Sequence, residues 1–221
     1  MLFSKEAAQA NIRNRDGKRV FYLGKGDQLT SEAKEFLLRE RIEILPSEKA
    51  RPERYRLLNG GFLEEKPEHM THLYGDVLVE KTHPRIGFRG TVDTLEAEIL
   101  LCQAQFPRLR EPLEEVLTLA RKMIRCDVLN EPLIPTPLGG LDEKALRAHS
   151  HRPQEFYGQP HFMPSASDGQ EILQLNRLRT LVRQTERSAA AAFADRMDIL
   201  QALNRMSSYL YILMIREKID N

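Results

Sequence analysis

Most of the second half of this sequence repeats apolar residues at intervals of three and four, the period of an amphipathic helix. Five segments carry this pattern and predict helices: 92–106, 113–129, 141–149, 169–193 and 199–218. Prolines and a Gly139-Gly140 pair separate the first three. Because the last segment is apolar almost all round, we expect it to be the most buried helix. The pattern predicts a mainly α protein built around a helical bundle of about five helices.

The first 46 residues have a different pattern. Two short runs of β-forming residues, 18–23 and 42–45, are separated by a segment with helical spacing that starts at Thr30 or Ser31 and ends at Glu40. With a short helix near 4–12, they predict a small α/β lobe whose two strands are parallel. Residues 47–66 are charged and interrupted by prolines and glycines, which predicts a linker. The sequence thus predicts a lobe over 1–46, a linker over 47–66 and a helical domain over 67–221.

Composition excludes several classes of protein. The formal net charge is +1, from 33 basic and 32 acidic residues, so we expect no nucleic-acid partner. The longest apolar run, 209–215, is too short to span a bilayer, and the first residues show no secretory signal pattern. Cys102 and Cys126 both fall within helical patterns, which is typical of small core residues. These features predict a cytoplasmic protein without a membrane partner.

The helical segment 169–193 carries three arginines on one face. Arg179, Arg183 and Arg187 are spaced four residues apart, whereas Leu178 and Val182 belong to a separate, core-facing stripe. Such a row is either a solvated basic face, with Glu186 paired to Arg183, or a cradle for a polyphosphate, whose oxygens match the guanidinium fork. Spacing alone leaves both interpretations open.

Two further groups are candidates for chemistry. Between Lys81 and Asp93, Pro84 and two glycines predict an exposed connection into a helix, with Asp93 in the first helical turn, where a carboxylate is favourable. In the last helix, polar side chains share one side of an otherwise apolar segment: Asn204, Ser207, Ser208 and Tyr211. They indicate either close helix packing or contacts to a nucleotide, because a buried amide without partners costs about 1–3 kcal/mol.

The sequence shows no residue pattern for other kinds of catalytic or metal-binding site. His69 and His72 lie three apart without a nearby third ligand, a pattern more typical of a loop than of a metal site. No Ser-His-Asp arrangement, Walker-type loop or dinucleotide fingerprint can be assembled.

Four segments in this order, 70–73, 81–95, 175–189 and 198–214, resemble the cobalamin adenosyltransferases, specifically the ethanolamine-utilisation branch related to the propanediol-utilisation type. The resemblance covers about residues 67–218. It implies the helical bundle of that family and a transferase that moves the 5′-deoxyadenosyl group of ATP to Co(I) of cobalamin, with Mg²⁺ as the accompanying ion.

The resemblance also implies roles for individual residues. Asp93 would pair with Arg179 across a subunit interface and act in catalysis together with Arg183. Seven residues would contact ATP: Thr71, His72, Lys81, Arg183, Glu186, Arg187 and Asn204. Phe162 would be the aromatic residue that displaces the lower axial ligand of cobalamin. Gln184 stands where the family usually has an arginine, which removes one charge from the phosphate site.

Partners follow from the same resemblance. It implies a homo-oligomer, trimeric or dimeric, with the active site at the subunit interface, and proteins of an ethanolamine microcompartment as further partners. Some members of this branch hold a transition metal with a cysteine cluster before the bundle, but residues 46–70 contain no cysteine. We therefore expect no metal site. The alternatives are a non-catalytic nucleotide- or cobalamin-binding module and a microcompartment scaffold.

Overall fold

The computed structural model describes residues 2–15, 17–24, 26–46 and 54–220. The chain divides into two compact units, Met1–His83 with Val128–Asn130, and Pro84–Asp127 with Glu131–Asn221. The helical unit thus begins at Pro84, later than the boundary at residue 67 that the sequence predicts. Residues 47–53 of the predicted linker lie outside the described residues, and its remaining part contains two short strands. Strands of two or three residues are too short to show a periodic pattern.

The first unit contains nine strands and two helices among its described residues. The elements in chain order are β1 (Leu2–Phe3), α1 (Lys5–Ala10), β2 (Arg13–Arg15), β3 (Lys18–Leu23), β4 (Gln28–Leu29), α2 (Ser31–Arg39), β5 (Glu43–Pro46), β6 (Tyr55–Leu57), β7 (Phe62–Leu63), β8 (Met70–Tyr74) and β9 (Val77–Glu80). The strand β3 pairs in parallel with β5, and α2 connects them, as predicted for the α/β lobe. The strands 54–80 form a separate four-stranded sheet in the order β7-β6-β9-β8. The α/β character of this region is confirmed.

The second unit is helical. Its helices are α3 (Pro84–Gln105), α4 (Arg110–Leu129), α5 (Glu143–His151), α6 (Pro153–Tyr157), α7 (Gln170–Ala192) and α8 (Met197–Asp220). The last residues of α4 belong by their contacts to the first unit. The five predicted helices correspond to α3, α4, α5, α7 and α8, so the helical bundle is confirmed. Among the described residues, none of the helices is long and apolar enough to cross a membrane.

The predicted start of α3 is wrong. The helix begins at Pro84 and includes Gly87 and Gly90, so the predicted exposed connection is helical. Proline suits a first helical position, and the two glycines cost about 1 kcal/mol each relative to alanine. The burial of Phe88 and Val92, both fully enclosed, outweighs that cost. Asp93 consequently lies inside the helix, too far from its N-terminus to interact with the helix dipole.

The helix α8 is the core of the bundle, as its composition predicts. It buries apolar side chains on almost every face, including Leu203, Met206, Leu210 and Met214. Both cysteines are buried and free, and burial raises the pKa of the Cys102 thiol to about 11. The prediction that they act as small core residues is confirmed.

A buried acid joins α3 to α4. Asp127 is fully enclosed, and its Oδ1 accepts hydrogen bonds from Arg85 Nε and Nη2 at 2.9 and 2.6 Å. Its Oδ2 accepts from Arg89 Nε at 2.6 Å. This cluster could not be predicted from the sequence, because the arginines and the acid are about forty residues apart along the chain.

A second acid holds the start of α8. Asp198 Oδ2 accepts from the Leu133 backbone N–H at 2.7 Å and from Arg196 Nη2 at 3.0 Å, and Arg196 Nη2 also donates to the Glu131 carbonyl. Burial raises the pKa of Asp198, but the hydrogen bonds from Arg196, Leu133 and Ile199 lower it more, so that the pKa falls to about 2. The ionised form is therefore the one that stabilises this junction.

Replacing Asp198 with asparagine is expected to lower the free energy of unfolding at pH 7 by about 2 kcal/mol, the equivalent of the pKa depression. Since the folded-state pKa lies below the ordinary value, this contribution is present above pH about 4 and is lost as pH falls towards about 2. Urea unfolding at several pH values should show the gap between wild type and variant narrowing over that range. The exposed neighbour Asp195, changed to asparagine, serves as the control. A gap that is independent of pH would contradict the assignment.

Candidate functional site

A cleft of about 650 Å³ opens in the helical unit between the segment 150–164, α7 and α8. We call it the central cleft. Its lining combines two arginines with aromatic and sulfur-containing side chains: Phe162, Met163, Arg179, Arg183, Tyr211 and Met214. The fold thus brings Phe162 together with two of the three arginines that the sequence singles out.

The three arginines follow α7 with different environments. Arg179 is half-buried, and its Nε and Nη2 donate to Asn176 Oδ1 at 3.2 and 2.9 Å. Burial lowers the pKa of Arg179, and the neighbouring charge of Arg183 lowers it further. Arg183 and Arg187 are exposed, and neither side chain has a hydrogen bond or ion pair within the described residues. Leu178 and Val182 are buried, so the predicted core-facing stripe is confirmed.

The predicted ion pair between Glu186 and Arg183 does not form in this structure. Glu186 Oε1 instead accepts a hydrogen bond from Asn204 Nδ2 at 3.2 Å. The carboxylate therefore joins α7 to α8 rather than neutralising its own helix. Asn204 is exposed, so the cost of a buried amide without hydrogen-bond partners does not apply to it. Glu186 and Asn204, which the resemblance both assigns to ATP binding, are therefore in contact.

A second opening, of about 800 Å³, lies along the outer side of α7 and includes one residue of α3. We call it the arginine groove. Hydroxyl, amide and guanidinium groups line it: Thr91, Thr180, Arg183, Gln184, Arg187 and Ser188. Arg183 lines both this groove and the central cleft. Such donors suit an anion with several oxygens. Gln184 supplies an uncharged donor at the position where the resemblance to the cobalamin adenosyltransferases implies an arginine.

Phe162 is fixed by α8. Its backbone N–H donates to Tyr211 Oη at 3.2 Å, and the two rings are stacked with centroids 6.0 Å apart. Lys218 Nζ lies 6.0 Å from the centroid of Phe162 and forms an ion pair with Asp168. Two side chains of one helix, α8, therefore lie close to this aromatic ring.

Asp93 is exposed on α3 and has no ion pair within the described part of the chain. Its pairing with Arg179, which the resemblance places between subunits, stays a prediction.

Three residues with implied ATP contacts lie in the first unit. Thr71 and His72 are on β8, and Lys81 follows β9 as an exposed residue. Burial lowers the pKa of His72, the charges of Arg13 and Lys66 add to this, and its ring packs against Tyr55 at 5.6 Å. A neutral imidazole is thus favoured here. The nucleotide contacts of these three residues stay predictions.

Sequence reasoning singles out neither Asn176 nor His161 as a site residue, although both line the central cleft. Asn176, which orients Arg179, precedes it by three positions on α7, so helical spacing could have indicated it. His161 lies in a segment rich in proline and glycine, where no period assigns a side chain to any site. Among the described residues, no group of three or more His, Cys, Asp or Glu side chains could hold a metal ion. The absence of a metal site stays a prediction.

The chain is similar to known proteins of one family. The family model of cobalamin adenosyltransferases matches residues 62–217. The corrinoid adenosyltransferase EutT of Salmonella typhimurium is 39% identical over 158 residues, which is 68% of this chain and 59% of that protein. The corrinoid adenosyltransferase EutT of Escherichia coli strain K12 is 38% identical over the same shares. The chain thus spans less than two thirds of the length of these curated relatives.

Solved structures show the same fold at lower identity. A variant PduO-type ATP:corrinoid adenosyltransferase from Lactobacillus reuteri, complexed with cobalamin and ATP, matches with a TM-score of 0.52 and 20% identity, over 69% of this chain and 91% of that one. A second variant matches with a TM-score of 0.54 at 20% identity, over 69% and 88%. The extent of the family match and the identity to the curated relatives confirm the resemblance: the chain belongs to the cobalamin adenosyltransferase family.

Proposed function

We propose that this protein is an ATP:cob(I)alamin adenosyltransferase, which transfers the 5′-deoxyadenosyl group of ATP to Co(I) of cobalamin. The observation that carries the proposal is the position of Arg183. It lines the arginine groove, which offers unpaired cationic donors, and also the central cleft, which offers Phe162, Met163 and Met214. The polar part fits a triphosphate chain and the apolar part fits a corrin ring.

The reaction needs no nucleophilic side chain. The electron pair of Co(I) forms a bond to C5′ of ATP, the C5′–O bond breaks, and its electrons leave with the triphosphate. The task of the protein is to place C5′ opposite cobalt and to stabilise the charge on the departing phosphates. Arg183 and Arg187 perform the second task, with Lys81 as a further phosphate contact.

The other residues hold the reactants in place. The hydrogen-bonded pair Asn204 and Glu186 contacts the nucleotide beside the phosphates, and Thr71 and His72 supply further contacts. Asp93 of one subunit pairs with Arg179 of the next, so a homo-oligomer with a shared site completes the enzyme. The half-burial of Arg179 supports this role, because a partly desolvated guanidinium gains most from a carboxylate partner.

Magnesium enters with ATP as its counter-ion. The described residues form no cluster of His, Cys, Asp and Glu that could hold an ion alone. They fit an ion held mainly by phosphate oxygens, which is the usual way Mg²⁺ binds in nucleotide sites, with Glu186 as the nearest carboxylate to Arg183 and Arg187 along α7.

Phe162 acts as an apolar wedge against the lower face of the corrin, which keeps the lower axial ligand away from cobalt and eases its reduction to Co(I). The position of Phe162 in the same cleft as Arg179 and Arg183 supports this role. We further propose that the product serves ethanolamine utilisation, that the enzyme acts in the cytoplasm, and that microcompartment proteins are its partners, since the relatives named above are EutT proteins.

The proposal is tested by incubating the protein with ATP, Mg²⁺ and chemically reduced cobalamin while recording the visible spectrum. We expect the Co(I) spectrum to convert into that of adenosylcobalamin, whose light sensitivity identifies the carbon–cobalt bond. The same mixture without ATP is the control. Binding of ATP or cobalamin without conversion would identify a non-catalytic binding module instead.

A further inference from the structure

The segment between α6 and α7, residues 158–169, carries Phe162 and is held by α8 at two places. Tyr211 contacts it at residues 161 and 162, and Lys218 forms an ion pair with Asp168. We call residues 158–169 the strap. It has no regular structure apart from a short 3₁₀ turn at 166–168, so side chains of α8 determine where Phe162 lies.

The hydroxyl of Tyr211 is hydrogen-bonded to His161 and Phe162. His161 Nε2 lies 3.1 Å from the carbonyl oxygen of His151, which can only accept, so this nitrogen carries a proton. Tyr211 Oη lies 3.2 Å from His161 Nδ1 and 3.5 Å from the carbonyl oxygen of Phe162, and its single proton can be donated to only one of them at a time. The same oxygen accepts from the Phe162 N–H. One hydroxyl therefore bridges two successive residues of the strap.

The rings reinforce this arrangement. His161 stacks on Tyr211 with centroids 5.8 Å apart and an interplanar angle of 14°, and Phe162 lies on the same tyrosine at 27°. Two adjacent strap residues thus share one aromatic support. Both residues line the central cleft, where His161 is exposed and Phe162 is half-buried, so Tyr211 supports two neighbouring side chains of the same cleft.

We propose that Tyr211 is a positioning residue, whose hydroxyl latches the strap through Phe162 N–H and His161 Nδ1 and so holds the Phe162 ring at the lower face of the corrin. The inference rests on the proposed function. A wedge excludes an axial ligand only while it stays in place, and a single aromatic side chain on an irregular segment moves with its backbone. The hydroxyl of Tyr211 supplies the restraint that regular structure does not.

The test is the Tyr211→Phe variant, which keeps the ring and its stacking but removes the hydrogen bonds of the hydroxyl to His161 and Phe162. We expect kcat to fall about tenfold, as for the loss of one or two hydrogen bonds in the reacting complex, with an unchanged KM for ATP. We also expect cob(II)alamin bound with ATP to shift from the four-coordinate to the five-coordinate form. The electron paramagnetic resonance spectrum reports this directly through the splitting from an axial nitrogen.

Tyr209→Phe is the matched control, because this tyrosine lies on the same helix but packs against Gly139, away from the cleft. His161→Ala removes the other end of the latch on an exposed position. In the double variant, the losses in kcat caused by His161→Ala and by Tyr211→Phe should not add. Additive losses, or a fall in kcat with an unchanged cobalt spectrum, would overturn the latch. If wild type forms adenosylcobalamin and Tyr211→Phe matches it in rate and spectrum, the inference fails alone. If wild type forms none, the proposed function fails and the inference with it.

Discussion

Replacing Arg183 with alanine is expected to lower kcat by about a hundredfold or more while leaving the helical content unchanged. The guanidinium is exposed and makes no hydrogen bond or ion pair within the described chain, so its removal costs the fold little. It lines both the arginine groove and the central cleft, and the proposed reaction needs a cation there for the negative charge of the departing triphosphate. Because Arg183 contributes little to the fold but lies where the proposed reaction needs a cation, we expect its removal to have a large effect on kcat and a small one on stability.

Two further substitutions sharpen this result. Arg183→Lys keeps the charge but loses the planar fork, so we expect a rate between those of wild type and Arg183→Ala. Arg177→Ala is the matched control, since Arg177 lies on the same helix and pairs on the surface with Glu98 at 2.7 Å. Loss of that exposed pair should cost less than about 1 kcal/mol of stability and leave the rate unchanged.

Steady-state kinetics with reduced cobalamin and varied ATP separate the possible outcomes. A fall in kcat indicates that Arg183 interacts mainly with the transition state, whereas a rise in KM alone would indicate uniform binding of ATP. Wild-type activity of Arg183→Ala would contradict the phosphate role, and an equal loss in Arg177→Ala would show that the effect comes from removing charge from α7 in general.

The helical unit could be predicted because its elements are long. The segments 169–193 and 199–218 repeat their apolar residues over several turns, and the observed helices α7 and α8 differ from them by only a few residues at their ends. The start of α3 could not be predicted in this way, because Gly87 and Gly90 disfavour a helix locally and the burial of Phe88 and Val92, which outweighs that cost, is not visible in the sequence.

In the candidate site, too, helical spacing predicts some residues, and only the packing of the fold reveals others. The arginine row on α7 follows from helical spacing, and the sequence also indicates that Asn204 and Tyr211 share one side of α8. The contact between Asn204 and Glu186 depends on how two helices pack, which no local pattern specifies. His161 is set by an irregular segment, so only the fold reveals that it meets Tyr211.

Replacing Asp127 with alanine is expected to lower the free energy of unfolding by about 3–5 kcal/mol, a large part of the stability of an ordinary domain. The carboxylate is fully enclosed and accepts three hydrogen bonds from the guanidinium groups of Arg85 and Arg89, whose side chains are 18% and 15% exposed. Removing the acid leaves two half-buried cations close together without this counter-charge. The cost is that of leaving these guanidinium groups without the Asp127 carboxylate, rather than that of the ion pair itself.

Urea unfolding followed by circular dichroism measures the effect, and the chain offers a matched comparison between the same two helices. Glu96 of α3 pairs with Arg121 of α4 at 3.0 Å, but Arg121 is 54% exposed, so Glu96→Ala should cost less than about 1 kcal/mol. Both variants remove an acid that joins α3 to α4, and they differ mainly in burial. If Asp127→Ala cost no more than Glu96→Ala, the buried cluster would stabilise the packing of α3 against α4 no more than this exposed ion pair does.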